Sequence, residues 1–435
     1  MIMENRYDKY KDSGIAWIGE IPEHWEVKRL KNVCSTNNAS LSDKTSEEFE
    51  FDYVDIGSVS FELGIHKTEK YTFQNAPSRA RKIARLGDII VSTVRTYLRA
   101  IDIINSEEKE KYIYSTGFAI LSPLKNILSE FMIYICRSEY FTNQVSIYST
   151  GINYPSINDT ALKMINIVIP TLSEQQPIAT YLDQKCGKID ELITLQEEMI
   201  TKLQSYKQSV ITEAVTKGLD KNVPLKDSGI EWIGETPEHW NIIKTKNAFK
   251  IISGATPKTD NMTYWDGEIT WITPADYKTE DRVIKSGKRN ITLAGLNSCG
   301  TSIVPENSII FSKRAPIGLV AINIVPLCTN QGCISCIPKS FVNSKYFYYL
   351  MSVLTEWFEL FGSGTTFKEL STNNFANFSL SQPPLSEQQS IADYLDQKCS
   401  EIDELISIKQ QKIEKLKDYK KSLIFECVTG KRKVS

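Results

Sequence analysis

The amino-acid sequence predicts an α+β fold with a pseudo-two-fold internal repeat, in which two α+β inserts are separated by two long antiparallel helices. Three observations predict it. Two blocks recur almost unchanged in the two halves of the chain. A long stretch with helical periodicity follows each insert, and each insert mixes β-branched and aromatic runs with helical runs. With 435 residues, the chain has room for about three units of ordinary domain size.

Composition is that of a globular protein, with 41% apolar and 24% charged residues. The polar residues Met1 to Lys11 lack the apolar core of a signal peptide, and no apolar run reaches the roughly 18 residues of a membrane span. We therefore expect a cytoplasmic protein. Its nine cysteines have no regular spacing, which favours free thiols over a disulfide framework.

The repeated blocks form a fixed frame around two variable inserts. Asp12 to Trp25 reads DSGIAWIGEIPEHW and Asp227 to Trp240 reads DSGIEWIGETPEHW, identical at 12 of 14 positions. Leu172 to Ile193 and Leu385 to Ile406 are identical at 18 of 22 positions. A fixed frame with diverged inserts indicates two different recognition surfaces in a symmetric arrangement. The alternative is a gene duplication with one idle half.

The segment after each insert is predicted to be a long amphipathic helix. Ser173 and Ser386 are each followed three positions later by Gln, which predicts a capping box at each helix start. Apolar residues then recur at spacings of three and four. Such seams suit pairing of the two helices with each other. Alternatively, each seam packs only on its own domain.

The inserts, Glu26 to Thr171 and Asn241 to Pro384, are each about the size of one domain. Strands are predicted at Tyr53-Val-Asp-Ile and Ile269-Thr-Trp-Ile, and one helical stretch per insert at Glu130 to Tyr140 and Lys345 to Glu356. The net charge of the chain is −2, but six cations lie between Arg79 and Arg99 against the single acid Asp88. A basic face for nucleic acid is therefore compatible with the neutral average.

Several strings resemble a known family. Gly362-Ser-Gly-Thr-Thr-Phe-Lys-Glu-Leu-Ser followed by Gln382-Pro-Pro-Leu-Ser-Glu-Gln-Gln looks like the end of a target recognition domain running into its helix. Tyr264-Trp-Asp-Gly-Glu-Ile-Thr-Trp-Ile, Ser312-Lys-Arg-Ala-Pro-Ile-Gly and the WIGE-PEHW blocks resemble other parts of that family. The duplicated order of these strings covers nearly the whole chain. It resembles the specificity (S) subunit of a type I restriction-modification system.

The resemblance implies a non-catalytic subunit that reads a bipartite double-stranded DNA site and directs two methyltransferase (M) subunits and the restriction/translocase (R) subunits. S-adenosylmethionine, ATP and Mg would belong to those partners, and none is expected in this chain. The implied domains are a scaffold repeat, a first target recognition domain, a central long helix, a second scaffold repeat, a second target recognition domain, and a C-terminal long helix with a basic tail. Their expected bounds are 1–25, 26–171, 172–219, 220–240, 241–384 and 385–435.

Candidate DNA-binding residues follow from side-chain chemistry, since Arg and Lys suit guanine and phosphate while Asn suits adenine. Where the second half has Gly364-Thr-Thr-Phe-Lys, the ungapped register gives Gly151-Ile-Asn-Tyr-Pro in the first. This departure leaves only the glycine and the aromatic ring in common, so a turn with a buried ring is an equal alternative to a DNA contact. The candidates are Arg79, Arg81, Lys82, Arg95, Arg99, Asn153 and Tyr154 in the first half, and Lys313, Arg314, Thr365, Thr366, Phe367 and Lys368 in the second.

Other classes of function find little support in the sequence. The only Pro-Pro is in Gln382-Pro-Pro-Leu, which is not a methyltransferase catalytic motif, and no phosphate-binding GxxxxGK[ST] loop occurs. Cys328, Cys333 and Cys336 have zinc-like spacing, but aligning the halves sets Cys333 and Cys336 against Phe118 and Leu121, which favours buried thiols. His24 and His239 are expected to pack beside Trp25 and Trp240. Two alternatives remain: a coiled-coil protein-interaction scaffold without DNA reading, and a nuclease or methyltransferase of an unrecognised type.

Overall fold

The computed structural model describes residues 6–278, 282–364 and 368–434. They fall into two compact units. The first unit takes in the described residues of Met1–Glu197 and Gln411–Ser435, and the second takes in those of Glu198–Gln410. Each unit therefore holds one insert, the first half of one long helix and the last half of the other. No helix in the described ranges is long and apolar enough to cross a membrane.

The first unit contains two four-stranded sheets and three strand pairs. The four-stranded sheets have the orders β11-β10-β13-β4 and β8-β5-β12-β9, and β12 runs parallel to β5. The pairs are β1-β2, β6-β7 and β14-β3. The strands are β1 (Tyr10–Asp12), β2 (Glu20–Pro22), β3 (Glu26–Arg29), β4 (Cys34–Thr36), β5 (Glu50–Val54), β6 (Val59–Ser60), β7 (Gly64–Ile65), β8 (Glu69–Thr72), β9 (Ala80–Ile83), β10 (Ile89–Ser92), β11 (Ile101–Ile103), β12 (Ile113–Ser115), β13 (Phe118–Pro123) and β14 (Asn166–Ile169). The helices are α1 (Glu107–Glu110), α2 (Ser129–Arg137), α3 (Glu139–Ile147), α4 (Asp159–Lys163) and the long α5 (Leu172–Lys217).

The second unit has a matching plan with different lengths. Its sheets have the orders β18-β25-β22-β23-β20 and β21-β19-β24, with the strand pairs β15-β16 and β17-β26. The strands are β15 (Leu225–Asp227), β16 (Glu235–Pro237), β17 (Asn241–Lys244), β18 (Phe249–Ser253), β19 (Trp265–Ile272), β20 (Val283–Ile284), β21 (Arg289–Ile291), β22 (Ile309–Lys313), β23 (Ile317–Asn323), β24 (Cys328–Thr329), β25 (Cys333–Pro338) and β26 (Ser379–Gln382). The helices are α6 (Thr245–Ala248), α7 (Leu293–Asn297), α8 (Ser344–Ser352), α9 (Thr355–Leu360), α10 (Thr372–Asn377) and the long α11 (Leu385–Val428).

Each predicted helical stretch of an insert is two helices rather than one. In the first insert the chain leaves the helical conformation at Ser138, with ψ +150°, so α2 and α3 are separate. In the second, Val353 and Leu354 separate α8 from α9. Apolar residues occur on both sides of each break because both helices of each pair bury side chains in the core. Periodicity alone therefore did not reveal the breaks.

The long helices begin earlier than the capping boxes predicted at Ser173 and Ser386. At the start of α5, Thr171 donates its backbone N–H and its hydroxyl to the Glu174 carboxylate, at 3.2 and 2.7 Å. Helix α5 therefore begins at Leu172, and Ser173 lies inside its first turn. Helix α11 likewise begins at Leu385, with Ser386 inside it. The box predicted at Ser173 was wrong because Thr171 and Glu174 cap the helix two residues earlier. The box predicted at Ser386 was wrong because α11 already begins at Leu385.

The two long helices pack against each other within each unit, as their seams predicted. In the first unit Lys420 of α11 lies 2.6 Å from Asp190 of α5. In the second unit Lys207 of α5 lies 2.7 Å from Asp403 of α11. These two ion pairs occupy equivalent positions of the repeat. Such exposed pairs contribute little stability, and the apolar seam beside them carries the packing.

His24 and His239 do more than pack beside tryptophan. The imidazole Nε2 of His24 lies 3.0 Å from Glu174, and that of His239 lies 2.9 Å from Glu387. Both rings are about half exposed, so the prediction of packing alone was incomplete. Each frame block thus contacts the first turn of the long helix in its own unit.

The cysteines are free thiols, and eight of the nine are buried. Cys333 and Cys336 lie on opposite faces of β25 and pack into different apolar clusters. Cys333 pairs with Ser312 across the strands as Phe118 pairs with Ser92, which confirms the predicted alignment of the two halves. In the ranges that the structure describes, no three His, Cys, Asp or Glu side chains lie close enough to hold a metal ion.

Candidate nucleic-acid interface

The structure contains two equivalent closed loops, one in each insert. We call Thr150–Ser156 the first recognition loop and Ser363–Glu369 the second. In the first, the backbone N–H groups of Thr150 and Ser156 each donate to the other residue's carbonyl oxygen at 2.9 Å. In the second, Ser363 and Glu369 do the same at 3.0 Å. The loops therefore have the same closure although they share almost no side chains.

Both loops are anchored to the same place in their sheets. Ile157, just after the first loop, donates its N–H to the carbonyl of Thr93 at 2.9 Å. Leu370, just after the second, donates to the carbonyl of Lys313 at 2.9 Å. Thr93 follows β10 and Lys313 ends β22. The ungapped register predicted from the sequence is thus the structural register.

A glycine with positive φ begins each loop. Gly151 has φ +103° and Gly364 has φ +119°, a conformation that residues with a side chain rarely adopt. A Cβ on Gly151 would also approach the carbonyl oxygen of Tyr154 to 3.1 Å. The shared glycine is therefore explained by the closure of the loop.

The first recognition loop presents a cation, an amide and exposed apolar groups together. Ile152 is fully exposed and Tyr154 is 63% exposed, so the alternative of a buried ring is wrong here. The Arg95 guanidinium lies 5.1 Å from the centroid of the Tyr154 ring, in the range of a cation–π contact. Asn153 lies between Ile152 and Tyr154 in the sequence and is also exposed. Three of the predicted residues, Arg95, Asn153 and Tyr154, are thus brought to one site.

The second recognition loop contains a cluster of ion pairs. The Lys313 ammonium lies 2.8 Å from one carboxylate oxygen of Glu369, and the Arg314 guanidinium lies 3.6 Å from the other. Arg314 and Glu369 line a pocket of about 510 Å³ together with Glu359 and Lys368. Lys313, Arg314 and Lys368 are therefore brought together, although only 12% of the Lys313 side chain is exposed. The predicted residues Thr365, Thr366 and Phe367 lie outside the described residues.

The cations of β9 lie in a different sheet from the loop anchor. Arg79 precedes the strand and is exposed. The Arg81 guanidinium lies 4.7 Å from the Phe73 ring centroid. The Lys82 ammonium donates to Asn37 Oδ1 at 2.7 Å and to the carbonyl of Phe118. Burial lowers the pKa of Lys82. Lys82 is thus engaged inside the domain.

Arg99 shares an unusual backbone conformation with Arg95. Both have positive φ, +49° and +53°, and they flank the short 3-10 helix Thr96–Leu98. The Arg99 guanidinium lies 5.9 Å from the Phe61 ring centroid. These paired left-handed residues position two cations on either side of one turn.

Some residues at the two loops were not among the sequence candidates. Tyr97 and Tyr148 are 58% and 49% exposed, near the anchor of the first loop. The hydroxyl groups of their neighbours Thr96 and Ser149 are 3.0 Å apart. Glu369 was missed as well, because its pairing with Lys313 joins residues far apart in sequence. The available signal was an acid placed directly after the predicted cation Lys368.

Comparison with known proteins identifies these domains. The model of the type I restriction modification DNA specificity domain matches residues 22–204 and 237–418. The chain is 28% identical to the type I restriction enzyme MjaVIII specificity subunit of Methanocaldococcus jannaschii over 95% of its length and 94% of the relative's. It is 39% identical to the MjaIX specificity subunit of the same organism over 42% of each chain.

Solved structures share the fold. A chain from work on complex assembly and conformational transition of the type I R-M system superposes with a TM-score of 0.78. The superposition covers 94% of this chain and 99% of that chain, at 24% sequence identity. The duplicated arrangement of inserts and long helices is therefore an established fold.

Proposed function

Because the chain belongs to the type I restriction modification DNA specificity family, and is thus a non-catalytic subunit that reads a bipartite DNA site, we propose that each recognition loop contacts one half of that site. The rest of each insert supplies further basic groups around its loop. The interaction scaffold without DNA reading has no support, since both matched regions are DNA specificity domains.

One observation carries this assignment: two loops with the same backbone closure display different side chains. The first displays Arg95, Asn153 and Tyr154, and the second displays Arg314 and Lys368 around a pocket. A common backbone placement would bring each loop to DNA in the same way. Different side chains would then read different bases, since base edges are distinguished by donors and acceptors in the major groove.

Exposure and charge support a DNA contact at the first loop. The Arg95 guanidinium stacks on Tyr154 and keeps N–H donors available for guanine O6 and N7 or for phosphate. Tyr154 offers a flat face and Ile152 an apolar tip, which can meet a sugar or a thymine methyl group.

The proposed partners are two M subunits of the same kind, together with R subunits in the restricting complex. The internal repeat supports the binding of two copies of the M subunit. Leu192 and Leu195 on α5 are 43% and 44% exposed in the first unit, and the equivalent Leu405 and Ile408 on α11 are 46% and 50% exposed in the second. Equivalent exposed apolar positions favour two copies of one partner.

The chemistry would reside in those partners. The M subunits would use S-adenosylmethionine, and the R subunits would use ATP with Mg. This chain would recognise the specific DNA site. Because the proposed target is cellular DNA, the cytoplasm is the proposed place of action.

An exchange of inserts tests the assignment. Strand β3 pairs with β14 at the two ends of the first insert, with Glu26 opposite Ile169, so replacing Glu26 to Thr171 exchanges a closed unit. With partner subunits present, sequencing of methylated DNA should show one half of the bipartite motif altered and the other unchanged. The matched exchange of Asn241 to Pro384, closed by β17 and β26, should alter the other half. If either exchange altered both halves, the proposal would fail.

A further inference from the structure

Among the residues that the structure describes, Glu369 is the one acidic side chain that forms an ion pair with Lys313 or Arg314. Its carboxylate lies between Lys313 and Arg314, one on each oxygen. Its backbone pairs with both Ser363 and Arg314. A carboxylate fixed in this way has a defined position and orientation at the proposed DNA surface.

The ion pairs are not needed to close the loop. In the shared register, Thr93, Val94 and Ser156 of the first insert stand where Lys313, Arg314 and Glu369 stand in the second. None of those three residues is charged, yet the first loop closes at 2.9 Å and the second at 3.0 Å. The charged set therefore calls for an explanation other than backbone closure.

We propose that Glu369 is the base-selecting residue of the second recognition loop, and that its carboxylate accepts a hydrogen bond from the exocyclic amino group of a cytosine or an adenine. This inference rests on the proposed function. A carboxylate has only acceptors, and so do phosphate oxygens. Its partners on DNA are therefore the amino groups of bases, of which cytosine N4 and adenine N6 face the major groove.

The surrounding charges make an acid acceptable at a DNA surface. Lys313, Arg314 and Lys368 supply three positive charges against the two carboxylates of Glu359 and Glu369. The local charge stays positive, so the phosphates are not repelled by the site as a whole. Lys313 and Arg314 each pair with one oxygen of the Glu369 carboxylate, which can accept about four hydrogen bonds in total. Acceptor capacity remains for a base.

The test is to sequence methylated DNA from cells that express this chain with its partner subunits. The wild-type motif should hold one fixed base pair at the position that Glu369 reads. A fixed G·C pair would identify cytosine N4 as the partner, and a fixed A·T pair would identify adenine N6. Glu369→Gln removes the charge at nearly the same size. We expect the preference at that one position to fall about tenfold, with the first half-site unchanged.

Glu359→Gln is the matched control. It removes a negative charge from the same pocket but leaves the ion pairs of Lys313 and Arg314 with Glu369 in place, so the motif should stay unchanged. Should the Gln variant of Glu369 fail to assemble, Glu369→Asp keeps the charge but withdraws the carboxylate by one methylene group. It should weaken the preference at the same position.

Two results would overturn the inference. One is an unchanged preference at every position of the second half-site in an active Glu369 variant. The other is uniform weakening of methylation in both Glu369→Gln and Lys313→Met with no change of motif, which is the outcome for a purely structural ion cluster. Failure of the proposed function looks different, since the exchange of Asn241 to Pro384 would then alter both halves of the motif.

Discussion

Lys82 and Arg95 were predicted from the same basic cluster, but their surroundings differ. The Lys82 ammonium is held by the side chain of Asn37 and the carbonyl of Phe118, inside the first insert. The Arg95 guanidinium lies over the exposed Tyr154 ring at the first recognition loop. We infer that Lys82 stabilises the domain and that Arg95 contacts DNA.

Two substitutions separate these roles. Lys82→Met should lower the free energy of unfolding by about 1–2 kcal/mol, because Asn37 and a carbonyl lose a charged donor. Arg95→Ala should leave stability within about 0.5 kcal/mol but weaken binding of the assembled complex to its own site by about 1–3 kcal/mol. Thermal denaturation and DNA titration measure the two quantities. Equal loss of stability in both variants would contradict the distinction.

The types of residue at the candidate site could be predicted from the sequence, but the groups with which each residue interacts could not. Cation clusters and the glycine register were visible in the chain, and the structure confirms the register. Partners such as Asn37 for Lys82 or Glu369 for Lys313 could not be predicted, because they come from segments that meet only after folding. The DNA contacts themselves stay predictions.

Among the elements, the first turns of the long helices hold the inserts in place. The side chains of Gln175 and Gln388 are completely buried. Gln175 accepts the N–H of Leu128 at 2.8 Å, and Gln388 accepts the N–H of Asn343 at 2.8 Å. Each amide also donates to two backbone carbonyls. One side chain thus joins the helix start to the segment before a helix of the insert.

Replacing either glutamine by leucine should destabilise its own unit. The loss of three hydrogen bonds leaves buried backbone groups unpaired, and each such group costs about 1–3 kcal/mol. Gln175→Leu and Gln388→Leu should have similar effects because their contacts match. The exposed neighbour gives the control, since Gln176→Leu should change stability by less than about 0.5 kcal/mol. Chemical denaturation measures all three, and a neutral Gln175→Leu would show that this clamp is dispensable.

Helices were predicted well where the apolar periodicity was long. They were predicted poorly where a single residue determined a helix break or a helix start. The paired helices followed from apolar spacing that continues from Ile189 to Ile211 and from Ile402 to Ile424. The break at Ser138 did not, because buried apolar residues on both sides of it suggested one continuous helix. The start of α5 was misplaced because Thr171 and Glu174, not Ser173 and Gln176, form the cap.

At the scale of the whole molecule, the fold could be predicted from the internal repeat, because the frame blocks recur in the structure as they do in the sequence. Two ion pairs, two His–Glu contacts and two buried glutamines recur at equivalent positions. The inserts resisted prediction in detail because their strands are short and their order in the sheets differs from their order in the chain.

The distribution of thiols makes the chain suited to site-directed labelling. Burial raises the pKa of Cys34, Cys328 and Cys333 to about 12, so these thiols stay protonated at pH 8, whereas the attacking species is the thiolate. Only Cys299 is partly exposed. A chromogenic disulfide reagent should therefore react promptly with about one thiol per native chain, and with all nine after unfolding. Prompt reaction of several native thiols would contradict this burial pattern. In a Cys299→Ser background, a single new cysteine at Ser156 would carry a fluorophore at the end of the first recognition loop and report DNA binding as it occurs.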